Sequence, residues 1–245
     1  TREAWEVAAG AHADGHAVVT SLAGPTPAPR AVAGELRVGG FGGPEGLARW
    51  LREHGTEAVI DATHPFATRI SDSAAQACRA TGTPLRALRR PPVEPGPGDR
   101  WTRVPDVRAA ARAIPAGARV LLALGRQRLD AFFGVRDAWC LARAIEQPRE
   151  PLPPTMEVVL DQGPFTLADE RALLRRHAIS LLVTRDAGGS AAAAKLTAAR
   201  ELGIDVVVID QPPALPGVVT VSGVEEALAW LAAVRCVCAE DHPDP

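Results

Sequence analysis

Short apolar runs alternate with helical stripes along the whole chain. The runs lie at 17–20 (Ala-Val-Val-Thr), 58–60 (Ala-Val-Ile), 120–124 (Val-Leu-Leu-Ala-Leu), 181–183 (Leu-Leu-Val) and 206–209 (Val-Val-Val-Ile). They are short and mostly β-branched or leucine-rich, the pattern of strands buried on both faces. Between them apolar residues recur at helical spacing: Leu47, Trp50 and Leu51; Val107, Ala110, Ala111 and Ile114; Val224, Ala227, Leu228 and Leu231. Such alternation predicts an α/β protein with parallel sheets, helices on both faces and right-handed crossovers. The strand ends then all point one way.

Two proline-rich stretches interrupt the pattern, at 91–98 and 148–154. A full set of strand–helix units precedes the first and another follows it. The domain boundary is therefore expected there, giving domains 1–92 and 93–245, with the second stretch a loop inside the C-terminal domain. A length of 245 residues accommodates two such domains. The helical pattern Ala4, Val7, Ala8, Ala11 opens the chain before any strand. A dinucleotide-binding fold begins instead with a strand and a Gly-rich turn. The N-terminal domain is thus expected to lack its first strand and most of its phosphate loop, with Thr1 the last residue of that loop.

Composition narrows the classes. An apolar content of 47% supports a real core and argues against disorder. No apolar run approaches the ~18 residues of a membrane span, and the charged Thr1-Arg2-Glu3 start runs into mixed sequence rather than a signal peptide. A net charge of −2 lacks the basic footprint of a nucleic-acid binder. Cys78, Cys140, Cys236 and Cys238 form no C-x-x-C and accompany no His pair at zinc spacing, so no metal is expected. Cys236-x-Cys238 could bind a soft metal, but as a lone pair without further ligands it reads rather as part of a loose tail. Reduced thiols make the cytoplasm the expected compartment. One feature is unusual: only Lys195 is lysine among 27 basic residues, in a chain rich in Ala, Gly, Pro and Arg and free of Tyr.

In open parallel sheets, ligands bind beyond the carboxyl ends of the strands. Those positions here read Ser21-Leu22-Ala23-Gly24, Gly39-Gly40-Phe41-Gly42-Gly43, Asp61-Ala62-Thr63-His64, Gly125-Arg126 and Thr184-Arg185-Asp186-Ala187-Gly188-Gly189. The glycine run can cradle a phosphate or ribose with backbone N–H groups, or be a flexible turn. In the Asp61 segment, Pro65 suits the first turn of a helix, with Asp61 or Thr63 as its cap. His64 would then sit at a helix N-terminus, where the dipole favours a neutral imidazole, or be incidental to a capping motif. Lys195 follows a Gly-Gly turn in an Ala-rich helix. A compact ammonium there does what a guanidinium cannot mimic, unless it is a chance survivor on a solvated face. No Asp or Glu stands at 20–24 to hold a ribose 2′-hydroxyl, which favours NADP over NAD, with Ser21 and Arg2 or Arg30 as partners of a 2′-phosphate.

Taken in order, these segments resemble the precorrin-6A reductase family of cobalamin biosynthesis. They are Thr1-Arg-Glu-Ala4, Ser21-Leu-Ala-Gly24, Gly39-Gly-Phe-Gly-Gly43, Asp61-Ala-Thr-His-Pro-Phe-Ala67, Gly125-Arg126, Asp169-Glu170 before Leu173-Leu174, Val183-Thr184 through Gly188-Gly189, and Lys195-Leu196. Departures are Arg185 where the family usually has Lys, Ala187 where it usually has Ser, and Pro25 where an Arg is common. The resemblance implies two Rossmann-like domains with cofactor and tetrapyrrole in the cleft between them. It implies NADPH held by Thr1, Arg2 and Glu3, by Ser21, Leu22, Ala23 and Gly24, by Gly40, Phe41 and Gly42, and by Asp61, Ala62, Thr63 and His64. The tetrapyrrole falls to Gly125, Arg126, Thr184, Arg185, Asp186, Gly188, Gly189 and Lys195. Lys195 and His64 are the candidates for a catalytic role. The implied reaction is hydride transfer to precorrin-6A, giving precorrin-6B. A monomer is expected, with transient contacts to neighbouring pathway enzymes. Two rivals stand beside this reading: another NAD(P)-dependent reductase, and a catalytically silent two-lobed binding protein. The absence of Tyr excludes the Tyr-x-x-x-Lys pair of short-chain dehydrogenases.

Overall fold

The computed structural model describes residues 1–24, 32–125 and 128–240. Arg30 and Arg126, both expected to hold anions, lie outside the described residues, and of residues 190, 191 and 235–240 only the backbone is considered. In chain order the elements are α1 (Arg2–Ala13), β1 (Val19–Leu22), β2 (Glu35–Val38), α2 (Pro44–Glu53), β3 (Val59–Asp61), α3 (Thr68–Thr81), β4 (Leu85–Leu88), β5 (Trp101–Val104), α4 (Val107–Arg112), β6 (Arg119–Ala123), β7 (Trp139–Ala144), β8 (Met156–Leu160), α5 (Leu167–Arg176), β9 (Leu181–Arg185), α6 (Ala193–Glu201), β10 (Asp205–Ile209), β11 (Val219–Val221) and α7 (Val224–Glu240). Among the described residues every strand pair is parallel. Among the described residues no helix is long and apolar enough to cross a membrane.

The chain divides into two compact units, Thr1–Arg90 with Pro213–Pro245, and Pro91–Pro212. The first crossing falls beside the expected boundary. The second corrects the expectation that 93–245 forms one continuous domain. Residues 213–240 rejoin the first unit because Val219–Val221 supplies a strand to β4 and α7 supplies a helix to α1. Arg89 seals the return: its N–H donates to Val221 O at 2.8 Å and its Nη1 to Pro213 O at 3.2 Å.

The first unit holds two separate ladders, β1–β2 and β11–β4–β3. The second ladder is covered on both faces. Val7 and Ala227 from α1 and α7 meet Leu88 and Val221, whereas Ala48, Leu51, Ala77 and Cys78 from α2 and α3 pack over Val59 and Leu85. At Gly10 of α1 a β-carbon would come within 2.6 Å of Leu228, so this glycine sets how closely α1 and α7 pack.

The second unit is one six-stranded sheet in the order β5-β10-β9-β6-β7-β8. Leu121, Leu182, Val206 and Val208 lie under Leu174 of α5 and Leu196 and Ala199 of α6. Each such buried aliphatic side chain contributes about 1.5–3 kcal/mol of transfer free energy. The order also locates a crevice. From β6 the chain moves out to β7, and from β9 it moves the other way to β10, so connections diverge between adjacent β6 and β9. A ligand fits at such a switch point, beyond the carboxyl ends.

Candidate active site

The switch point places Gly125 after β6 and Thr184 to Gly189 at and after β9, so the second unit brings its expected site residues together. Gly125 has φ +71° and Gly188 and Gly189 have φ +67° and +62°, left-handed conformations that suit glycine in both turns. Arg185 donates through Nη2 to Leu124 O, tying the two strand ends to each other. Burial, and secondly the charge of Arg128, holds Arg185 below the ordinary guanidinium value.

Lys195 projects from the first turn of α6 toward β9 and donates to Thr184 Oγ1 at 3.4 Å. Thr184 is itself buried. Burial pushes the Lys195 ammonium down to about 8; Arg143 repels it further, Glu170 opposes the fall, and Arg185 adds to it. The two groups nearest this balance were missed by sequence reasoning. Arg143, on β7, forms a bidentate pair with Glu170 of α5, Nη1 to Oε2 at 3.0 Å and Nη2 to Oε1 at 2.9 Å. Both are buried, and Phe165 lies 4.1 Å beneath the guanidinium. The available signals were a charge inside the apolar run of β7 and a Glu four residues before Leu174 on the buried face of α5.

Asp186 has a different place from the one expected. Its side chain is 0% exposed. It accepts from Arg103 Nη2 at 2.7 Å, from Val93 N at 3.2 Å and from Gly188 N at 3.0 Å. Its bond from Gly188 N holds the turn in shape, and its side chain is enclosed by the protein. Arg103 continues the network to Val93 O at 2.9 Å and to Asp210 Oδ1 at 2.7 Å.

In the first unit the expected residues fall into two groups. One follows β1 and β2, whose last residues Leu22 and Val38 are partners in register, and Gly39 N donates to Leu22 O at 2.8 Å. The Gly39 to Gly43 turn is fastened. Arg37 donates to Gly39 O and, at 3.0 Å, to Gly40 O, and its guanidinium lies 3.7 Å over the Phe41 ring. Phe41 meets Trp50 edge-on at 5.6 Å. At Gly46 a β-carbon would come within 1.7 Å of Phe41 O. These contacts fasten the turn at Gly39, Gly40 and Phe41. β-Carbons at Gly24, Gly39, Gly40, Gly42 or Gly43 would meet nothing within 4 Å, so one side of the turn borders open space.

The other group follows β3. Thr1 caps α1, accepting from Ala4 N at 3.1 Å, and donates to Ala62 O at 2.8 Å. Glu3 pairs with Arg90 at 3.2 Å, while its Oε2 is buried without a hydrogen-bond partner. Arg2 is spent on Glu6 at 2.7 Å. Asp61 accepts from Thr63 N at 3.0 Å, an Asx turn, and Thr63 Oγ1 meets Ser71 Oγ at 3.2 Å. The helix expected to begin at Pro65 begins instead at Thr68, after an Ala67 cap without a side-chain bond. The Asx turn and the Ala67 N to His64 O bond of 2.7 Å keep 64–67 in a separate turn. His64 thus lies ahead of the helix N-terminus, and its Nδ1 accepts from Phe66 N at 3.3 Å. That contact leaves Nε2 as the protonated nitrogen.

Two features of the first unit are fit to hold a dinucleotide: the open side of the glycine turn, and the buried Glu3 carboxylate oxygen at the start of α1, which can accept from a hydroxyl. The family model described as "Precorrin-6x reductase CbiJ/CobK" matches residues 1–232. A precorrin-6A reductase of Rhodococcus erythropolis is 46% identical over 233 residues, covering 94% of each chain. One of Rhodobacter capsulatus is 44% identical over 234 residues, covering 95% of this chain and 93% of its own. A solved structure of CobK precorrin-6A reductase superposes with a TM-score of 0.87 at 44% identity, covering 96% of this chain and 94% of that one. With its two parallel α/β units and its cation-lined strand ends, the chain belongs to the precorrin-6x reductase CbiJ/CobK family.

Proposed function

We propose that this protein is an oxidoreductase that reduces precorrin-6A to precorrin-6B in cobalamin biosynthesis, with NADPH as reductant. The observation that carries the reading is the near-full-length likeness, at 44–46% identity, to proteins named for that reaction. The relatives at 44–46% identity are named for precorrin-6A, whereas those named for cobalt-precorrin-6A are 26–29% identical, and metal-free precorrin-6A is the proposed substrate here.

NADPH, when bound, supplies the hydride. The turn after β2, with Gly40, Phe41 and Gly42, offers backbone donors to its phosphates and ribose, and Arg37 keeps that turn rigid. Glu3 Oε2 takes a ribose hydroxyl. Ser21 takes the 2′-phosphate end, where an acidic residue would repel it. His64, whose Nδ1 accepts from Phe66 N, donates from Nε2 to cofactor or substrate and orients it.

The substrate is rimmed by carboxylates. Lys195 and Arg185 at the β6/β9 switch point clamp them, and the Gly188-Gly189 turn lets the backbone approach closely. These groups fix the macrocycle; the proton that completes the reduction comes from solvent. The reading is tested by titrating the protein with NADPH and NADH while following tryptophan emission, then adding precorrin-6A and following NADPH consumption. Tight quenching by NADPH, weak quenching by NADH and consumption on adding substrate are expected. Failure of both nucleotides to bind would favour the silent binding protein.

A further inference from the structure

A buried ion pair is an expensive way to fill a core, since each ion loses its hydration, and apolar residues of similar size often replace such pairs without loss. The Arg143–Glu170 pair is buried, bidentate and capped by Phe165. It does not join the apolar centre of the unit but sits at its upper margin. Arg143 is the next-to-last residue of β7, at the carboxyl ends where the crevice opens. Glu170 stands one helical turn before Leu174, which packs with Leu196 and Ala199 of α6. Lys195 stands one turn before Ala199. The packed faces of α5 and α6 thus carry Glu170 and Lys195 at the same end.

We propose that Glu170, locked in place by Arg143, is a positioning residue for the reduction: its carboxylate is the counter-charge that keeps the Lys195 ammonium charged beside Thr184 for the substrate's carboxylates. The proposal rests on Lys195 as a substrate-binding residue. Without a counter-charge, Lys195 would face two guanidiniums, Arg143 from β7 and Arg185 from β9, and, among the described residues, a hydroxyl, Thr184, as its hydrogen-bond partner. Arg143 fixes the carboxylate's position and at the same time limits how strongly it acts on Lys195. Burial is the largest influence on the lysine's proton affinity; the two halves of the pair adjust it in opposite senses, so either half removed alone shifts it in the opposite direction from the other.

The experiment is the pH profile of kcat/KM for precorrin-6A with saturating NADPH, which reports groups of the free enzyme that substrate binding requires. The wild-type profile is expected to fall on its alkaline side near pH 8. Glu170→Gln should move that fall to lower pH by about one unit, the effect of losing a nearby opposite charge. Arg143→Gln should move it to higher pH. The Arg143→Met/Glu170→Leu double variant, which leaves no unpaired ion, should fall close to the wild type. A merely structural pair would shift neither fall, or both the same way, and that result overturns the proposal. Should a single variant fail to fold, the sign of the shift in the other decides. Lys195→Arg separates the two layers of the reading. If it keeps the wild-type alkaline fall, Lys195 is not the titrating clamp and the substrate assignment itself is wrong. If it loses the fall while Glu170→Gln leaves it unmoved, only the role of Glu170 is lost.

Discussion

Arg103 reaches the Asp186 carboxylate at 2.7 Å from a side chain one-third exposed, while the carboxylate it holds is completely enclosed. The contact ties the start of the second unit, through Val93, to the turn that follows β9. Arg103→Met leaves a buried charge without its counter-ion, and breaking such pairs costs about 3–5 kcal/mol. The expected outcome is a markedly lower denaturant midpoint together with a raised KM for precorrin-6A, because the Gly188-Gly189 turn loses its anchor. A variant with the wild-type midpoint would show that the network carries no stability.

Lys195 links pH to two measurable quantities. Its ammonium is present below about pH 8 and lost above it, so substrate affinity should fall as pH rises through that value. Stability runs the other way. The unfolded lysine titrates near its ordinary 10.5, so between about 8 and 10.5 the unfolded chain binds more protons. This group's contribution to stability therefore rises with pH across that window and is least favourable below it. Lys195→Ala should remove both dependences and raise KM at least tenfold, about 1.4 kcal/mol of binding, with the fold retained by circular dichroism.

The two glycines Gly40 and Gly46 should separate fold from ligand. A methyl group at Gly40 meets open space, so Gly40→Ala should melt like the wild type yet bind NADPH more weakly. At Gly46 the same methyl would lie 1.7 Å from Phe41 O. Gly46→Ala should therefore lower stability and NADPH affinity together. Equal NADPH affinity in Gly40→Ala and wild type would remove the turn from the cofactor site.

Cys78 and Cys140 are buried and carry no disulfide. Burial pushes both thiols up to about 11, with Asp61 adding to the effect at Cys78. Thiolate is the reactive form, so both should resist a maleimide at pH 7.5 until the protein is unfolded. Mass spectrometry of peptides containing each cysteine, before and after denaturation, reads this directly; fast native labelling at either would contradict it.

Much of this architecture was legible in sequence because it rests on periodicity. The apolar runs ending near Leu22, Asp61, Ala123, Arg185 and Ile209 became β1, β3, β6, β9 and β10, and the stripes at Leu47, Val107 and Val224 became α2, α4 and α7. β7 escaped because Arg143 breaks its apolar run, and β11 because Val219 and Thr220 are exposed at a sheet edge. The return of residues 213–245 was invisible, since nothing local tells a strand which sheet it joins. At the site, glycine turns and Lys195 announced themselves by residue type. Arg37, Arg103, Arg143 and Glu170 did not, because their roles come from pairings between residues that are distant along the chain. Asp186 was read as a ligand for the same reason: its exposure is a property of packing, which spacing does not reveal.

Residues 91–212 are an insertion in the first unit, and this has a consequence for synthesis on the ribosome. Domains ordinarily complete in the order they emerge. Here the ladder β3–β4 must wait for β11, and α1 for α7, until the second unit has been made. The second unit, continuous in sequence, is free to finish first. The nascent chain therefore carries an open β4 edge through more than a hundred residues of translation, and this is the interval in which the protein is most exposed to aggregation.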